Sequence, residues 1–259
     1  MGVVWDPSQY QRFGDERSRP FADLLARVQA NDPRHVVDLG CGPGSLTRAL
    51  LDRWPASRVN GIDSSAEMIQ EAERVAVPGR LNFRLGDLRE WKPEQPVDVL
   101  VSNATLQWVP GHLDLLPRLV DALAPGGELA FQVPGNFAAP SHTLLAELRS
   151  SPRWRDRVGE GAARGAAVHE PGEYLDRLAG LGCRVDAWET TYLHVLPGED
   201  AVLEWVKGTA LRPVLSVLDA DESAEFVAAY AAQLREAYPK QPYGTVLPFR
   251  RIFVVAQKN

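Results

Sequence analysis

Between residues 35 and 133 short β-rich runs alternate with stretches of helical periodicity, and this alternation constrains the fold more than any other feature of the chain. The runs are HVVDLG at 35–40, RVNGID at 58–63, LNFRLGD at 81–87, VDVLVSN at 97–103 and GELAFQV at 127–133. Strands spaced this way cannot close as hairpins, so they imply a parallel sheet joined by crossover helices. SLTRALLDRW follows the first run with Leu46, Leu50 and Leu51 on one helical face. SSAEMIQEAERV follows the second, and Ser64 with Glu67 matches a capping box. Ahead of the sheet, RPFADLLARV places Pro20 at a first helical position and Phe21, Leu24, Leu25 and Val28 at helical spacing. After residue 134 the rhythm changes to prolines and glycines around one helix near 141–149, which reads as a cover segment over 135–170. PGEYLDRLAGLGC then reads as helix and turn, RVDAWETTYLHV at 184–195 as a long strand and FRRIFVVAQ as the last strand. Between those strands lies a helical insertion over 198–245. The expected organisation is one α/β domain over 1–259, opened by an N-terminal helical segment at 1–32.

Composition removes several classes of function. The formal charge is −6, and no basic block exceeds a pair such as Arg250 and Arg251, so a nucleic-acid footprint is absent. No stretch approaches the ~18 uninterrupted apolar residues of a membrane span, and MGVVWDPSQY has neither the basic flank nor the apolar core of a leader. Asp6 stands where myristoylation after Gly2 prefers Ser or Thr. The expectation is a cytoplasmic protein without membrane or nucleic-acid partners, monomeric or weakly homo-oligomeric. Cys41 and Cys183 read as small hydrophobes, and neither is expected to be a nucleophile or half of a disulfide. His35, His112, His142 and His169 lack metal-ligand spacing and most of them read as surface or turn residues, so no metal is expected.

The first strand runs into VVDLGCGPGS, residues 36–45. A turn there, ahead of a helix, puts backbone N–H groups and the positive helix end at the carboxyl edge of the sheet, where small ligands bind. Gly40, Gly42 and Gly44 allow tight turning and close approach, and a side chain at any of them is expected to take ligand space. A dinucleotide turn would need a third glycine at position 45, which is Ser45. Pro43 removes a donor, and Asp38 would repel a pyrophosphate by roughly 4 kcal/mol in a partly shielded site. A ligand carrying a ribose, an ammonium and a sulfonium fits better. Asp63, some twenty residues on, is placed to accept ribose hydroxyls, and Asp87 in GDL can accept an adenine amino proton.

Together DLGCGPG, GID, GDL, SNATLQWV and LAPGGELAF resemble, in order, the class I AdoMet-dependent methyltransferases. The resemblance implies a Rossmann-like three-layer sandwich with a seven-stranded, mostly parallel sheet, its last strand antiparallel, plus a helical cap. It implies S-adenosyl-L-methionine as cofactor, leaving as S-adenosyl-L-homocysteine. Asp38, Gly40, Cys41, Gly42 and Gly44 would face the methionine part, Asp63, Ser64 and Met68 the ribose side, Asp87 and Leu88 the adenine, and Asn103 the methionine again.

WDPSQYQRFGDERSRPFADLL, NATLQWVPGH, CRVDAWETTYLHVL, EWVKGTALRP and YPKQPYGTVLPFRRIFVVA look further like the trans-aconitate 2-methyltransferases. That resemblance implies a small tricarboxylic acid, trans-aconitate, as the substrate, esterified at one carboxyl. An anion of this kind needs fixed cationic forks. Arg12, Arg17, Arg19 and Arg212 are the candidates, with Tyr10, Gln107, Trp108, Tyr192 and His194 shaping the pocket and Trp205 readable either as pocket or as core. A carboxylate is ionised at neutral pH, so no general base is assigned. The alternatives are methylation of another small metabolite or an acyl-carrier-bound carboxylate, a non-enzymatic AdoMet-binding module and, more distantly, a nucleotide-dependent oxidoreductase.

Overall fold

The computed structural model describes residues 14–158, 168–208 and 210–259, with side chains from Ser18 onward. The first half holds α1 (Gly14–Leu25), β1 (His35–Leu39), α2 (Ser45–Arg53), β2 (Arg58–Asp63), α3 (Ala66–Ala72), β3 (Leu81–Leu85), β4 (Val97–Asn103), α4 (Leu116–Asp121) and β5 (Leu123–Pro134). There follow α5 (Pro140–Ser150), α6 (Arg155–Val158), α7 (Pro171–Ala179), β6 (Cys183–Leu196), α8 (Ala201–Lys207), α9 (Arg212–Leu215), α10 (Ala220–Ala237) and β7 (Thr245–Lys258).

Seven strands form one sheet in the order β3, β2, β1, β4, β5, β7, β6. β1 runs parallel to both β2 and β4, β4 is parallel to β5, and β7 is antiparallel to β5 with Gln132 opposite Phe253 and Pro134 opposite Arg251. This is the Rossmann-like architecture that the alternation and the resemblance imply. The strand order reverses between β1 and β4, so their outgoing connections part and leave a crevice at the carboxyl edge, where open α/β sheets bind ligands.

The described chain divides into two compact units. The first comprises Met1–Pro134, Ala167–Glu189 and Arg251–Asn259, and the second Gly135–Ala166 and Thr190–Arg250. The first unit is built on strands covered on both faces, so their sequences read as near-continuous apolar runs. Leu39, Leu100, Leu129, Phe131, Val133, Ile252 and Val254 share one buried cluster with Tyr174 and Leu178 of α7. In the second unit Tyr230 of α10 donates its hydroxyl to the Ser141 carbonyl of α5, while the Ser141 N–H donates to Tyr238 Oη at 3.0 Å. Trp154 meets Phe226 edge-on at 5.2 Å, and the exposed pairs Arg157–Glu222 and Arg153–Glu225 flank that contact.

Several local expectations are corrected. α1 begins before Pro20, which lies inside it, although Phe21, Leu24, Leu25 and Val28 are buried as the periodicity requires. α3 is capped by Ser65, whose Oγ accepts the Met68 N–H at 3.2 Å, rather than by Ser64. Asp63 holds the Ser65 N–H at 2.9 Å, which delays the start of the helix. The buried face of α2 is Thr47, Leu50 and Leu51, and Thr47 replaces Leu46 there because its hydroxyl has a buried partner. β5 and β7 are longer than their apolar runs suggest, since LAPGG and TVLP continue the ladder at their starts.

Candidate active site

At the carboxyl edge of β1 the glycine turn is stapled to β2. The Gly40 and Cys41 N–H groups both donate to the Ile62 carbonyl, at 2.7 and 3.1 Å, and the Gly42 N–H donates to Asp63 Oδ2 at 2.9 Å. With Oδ1 taken by Ser65, each Asp63 oxygen accepts one backbone donor and keeps a second lone pair. Gly40, Gly42 and Gly44 all have left-handed φ, of 80°, 54° and 80°, a conformation that costs an ordinary residue about 1–2 kcal/mol.

The space around the three glycines differs, which corrects the expectation that each one faces ligand. A Cβ on Gly40 would lie 2.1 Å from Thr105 Oγ1, and one on Gly44 2.7 Å from the Phe83 ring. Of the three, only a Cβ on Gly42 would meet no described atom within 4 Å. Gly40 therefore makes room for the loop after β4 and Gly44 for Phe83, whereas Gly42 borders space that no described residue fills. Sequence reading missed Thr105 and Phe83, and no glycine count signals either contact.

Asp38 is buried, and the single hydrogen bond to its carboxyl among the described residues is from Thr47 Oγ1 at 2.7 Å. Burial, helped by the nearby Asp63 charge and opposed by the Thr47 hydroxyl, pushes its pKa up to about 7. Burial likewise pushes the Cys41 thiol far up, so it is inert, and both cysteines are buried and free. Past β3, Arg89 forks onto both Asp87 oxygens and holds that carboxyl below the usual carboxylate range. The side chain of Leu88 is buried, its carbonyl accepts Arg118 Nη2 at 2.8 Å, and its N–H has no acceptor among the described residues. Ser64 is exposed and Met68 buried.

The loop after β4 is held from both sides. The Ala104 N–H donates to the Gln132 carbonyl at 2.9 Å with Ala104 at φ 53°, and Thr105 Oγ1 donates to the Gly40 carbonyl at 3.3 Å. Gln107 is buried with its Nε2 on the Ala104 carbonyl at 2.6 Å, whereas Trp108 is 47 % exposed. Asn103 Oδ1 and Gln107 Oε1 are buried acceptors without a partner among the described residues. Leaving such an atom unsatisfied costs about 1–3 kcal/mol, so both are suited to a ligand's donors.

The loop ends at His112, which is only 1 % exposed and not the surface residue expected from its turn context. Its Nδ1 meets the Val109 carbonyl at 3.3 Å and its Nε2 the Tyr174 hydroxyl at 2.7 Å, which fixes a neutral ring that accepts from Tyr174. Burial and the neighbouring His169 lower its pKa. No group of three His, Cys, Asp or Glu able to hold a metal occurs among the described residues.

Of the candidate acceptor residues, Tyr10 and Arg12 lie outside the described residues, and of Arg17 only the backbone, in α1, is described. Arg19 is exposed and forms an ion pair with Asp23 at 4.0 Å. In the second unit Tyr192 and His194 stack at 6.1 Å, with Trp205 on the other neighbour at 5.0 Å and Phe249 at 5.8 Å from His194. Trp205 is buried in that cluster, consistent with core. Arg212 begins α9, is half-buried, and makes no side-chain hydrogen bond or ion pair with described residues.

Residues 36–127 match the family model described as a methyltransferase domain. The trans-aconitate 2-methyltransferase of Streptomyces avermitilis is 58% identical over 98% of this chain and 97% of its own length. The protein of the same name from Streptomyces coelicolor is 55% identical over 98% of this chain and 87% of its own length. Among solved structures, the YcgJ protein of Bacillus subtilis superposes with a TM-score of 0.61 at 12% identity, covering 93% of this chain and 98% of that one, which is a likeness of fold.

Proposed function

The chain belongs to the trans-aconitate 2-methyltransferase family, and from that premise we propose that it transfers a methyl group from S-adenosyl-L-methionine to one carboxylate of trans-aconitate. The observation that carries the donor half is the turn at Gly42, open on the side of its missing Cβ and bracketed by the Asp38 and Asp63 carboxyls. When bound, the cofactor supplies an electrophilic methyl on a cationic sulfur.

The residues present fit that group. Asp38 offers a buried acid to a positive ligand, Asp63 keeps a lone pair on each oxygen for ribose hydroxyls, and Asn103 Oδ1 is an unmet acceptor for an ammonium. The Leu88 N–H is a ready donor to an adenine ring nitrogen, and Asp87, already paired with Arg89, presents a fixed acceptor beside it. Gly40, Cys41 and Gly44 shape the turn, with Ser64 and Met68 at its ribose side.

These residues would hold the donor so that its methyl could pass in line to an acceptor carboxylate, giving a neutral thioether and a methyl ester with no proton to be moved. A nucleophile with a pKa near 4 needs no base at neutral pH, so these residues position the acceptor and replace its water. Positioning alone can supply roughly 7–11 kcal/mol of the barrier. For the acceptor we propose a binding role for Arg212 as a cation, and roles for Gln107, Trp108, Tyr192, His194, Tyr10, Arg12 and Arg17, each to be tested by its own substitution.

Labelled AdoMet incubated with a panel of di- and tricarboxylates tests the proposal. Base-labile methyl ester on trans-aconitate is expected, and its absence across the panel overturns the assignment. In the same assay Arg212→Met should raise the KM for the tricarboxylate at least tenfold while leaving that for AdoMet within about twofold.

A further inference from the structure

β7 enters the sheet with a charge where its neighbours are apolar. Arg251, followed by Ile252, Phe253, Val254 and Val255, is only 5 % exposed. It lies opposite Pro134, the last residue of β5, and because β7 is antiparallel this early position falls at the carboxyl edge of the sheet, in the first unit. Its Nη1 donates to Gln132 Oε1 at 3.1 Å, and Gln132 is itself fully buried.

The registers put four polar residues on one face of that edge. Asp38 pairs with Val101, and Asn103 is two residues on, so both point to the same side. Asn103 pairs with Gln132 and Gln132 with Phe253, which lies two residues from Arg251. Asp38, Asn103, Gln132 and Arg251 thus stand on consecutive strands β1, β4, β5 and β7, about 5 Å apart from strand to strand. An acid occupies one end of the row, a guanidinium the other, and neutral amides the middle. Gln132 adds a second observation, since its Nε2 is a buried donor with no partner among the described residues. Its Oε1 is turned to Arg251, which leaves the amino group to meet an acceptor from elsewhere.

We propose that Arg251 and Gln132 form the anchor for a carboxylate of the acceptor other than the one that is methylated. The inference rests on the proposed carboxyl-methyltransferase reading and adds to it the residues that discriminate a polycarboxylate from a monocarboxylate. The row's polarity suits the reaction: the cationic donor belongs at the Asp38 end and the anionic acceptor at the Arg251 end. A guanidinium matches both oxygens of a carboxylate in one plane, and the Gln132 amino group supplies a third donor. Two inter-strand spacings, with β5 between, separate Asn103 from Arg251, a span of about 10 Å that accommodates a branched six-carbon acid along the edge.

The test uses the full chain carrying Arg251→Gln, Arg251→Lys or Gln132→Met, the last chosen to keep side-chain volume. Calorimetry measures the affinity for S-adenosyl-L-homocysteine, and steady-state kinetics compare trans-aconitate with a monocarboxylate of similar size such as crotonate. Arg251→Gln is expected to raise the KM for trans-aconitate on the order of 100-fold, with cofactor affinity within about twofold and crotonate turnover within about threefold. Arg251→Lys should recover part of that loss. Equal losses on both acceptors, or an unchanged KM for trans-aconitate, overturns the anchor. If Arg251→Gln fails to fold by circular dichroism, Gln132→Met decides: a rise of about tenfold confined to the tricarboxylate supports the anchor, and no rise overturns it. Wild-type protein that esterifies no di- or tricarboxylate overturns the proposed function itself, whereas wild-type turnover with an indifferent Arg251→Gln overturns the anchor alone.

Discussion

Asp38 carries a proton in much of the free protein at neutral pH, because burial raises its pKa to about 7. A raised acid binds its proton more tightly in the folded chain than in the unfolded one, so its contribution is most favourable below pH 3.8 and is lost as pH climbs from there to about 7. A cationic ligand reverses this preference by favouring the carboxylate. Affinity for AdoMet should therefore rise as pH increases towards about 7 and level off above it, and Asp38→Asn should flatten the profile in calorimetric titrations from acid to mildly alkaline pH. The glycines separate by the same residue-level logic. Gly40→Ala forces Thr105 aside and should lower the melting temperature strongly, whereas Gly42→Ala meets no described atom, so that beyond the left-handed backbone cost of about 1–2 kcal/mol its loss should fall on binding. Thermal melts beside AdoMet titrations distinguish the two. Sequence alone singled out the acids and glycines, since a turn of this composition has few other uses. It could not tell that Thr105 and Phe83 consume the room left by Gly40 and Gly44, because those contacts join distant strands.

Among the elements, α7 does more than cover the sheet. Tyr174 contributes its ring to the core beside Phe131, edge-on at 5.1 Å, and its hydroxyl to the His112 ring that ends the loop after β4. Tyr174→Phe keeps the ring but leaves the buried His112 Nε2 without its donor, so a loss of about 1–3 kcal/mol is expected in urea unfolding. His112 has a lowered pKa, so its stabilising contribution is present above its ordinary value of 6.5 and erodes as pH falls below that. The parallel core strands were legible from their short apolar runs, and the long β6 from the alternation in CRVDAWETTYLHVL. The starts of helices were not. Ser65 caps α3 in place of Ser64 since Asp63 withholds its backbone, and Pro20 sits inside α1, both decided by neighbours rather than by local pattern. Arg251 escaped notice as half of an arginine pair, though a charge at the head of a buried apolar strand was the available signal.

At the scale of the whole molecule, a ligand held only by the folded first unit must raise the stability of that fold. At 100 times its dissociation constant, S-adenosyl-L-homocysteine should add about 2.7 kcal/mol. For a chain of this length that corresponds to roughly 5–10 °C in the melting temperature. NAD at the same concentration should produce no shift, since the turn lacks a third glycine and sets Asp38 where a pyrophosphate would lie. No helix among the described residues is long and apolar enough to cross a membrane. Sequence reading set apart a cover segment at 135–170 and an insertion at 198–245, close to the stretches of the second unit, but could not see that β6 and β7 each belong partly to both units. The second unit is accordingly two excursions, Gly135–Ala166 and Thr190–Arg250, that depart from the first and rejoin it. Exchanging both excursions for those of a relative would make a chimera with every splice outside the donor-binding turn, and one splice falls immediately before Arg251. Such a hybrid would inherit its grip on the nucleoside, with the first unit around it, from one parent and only the two excursions from the other.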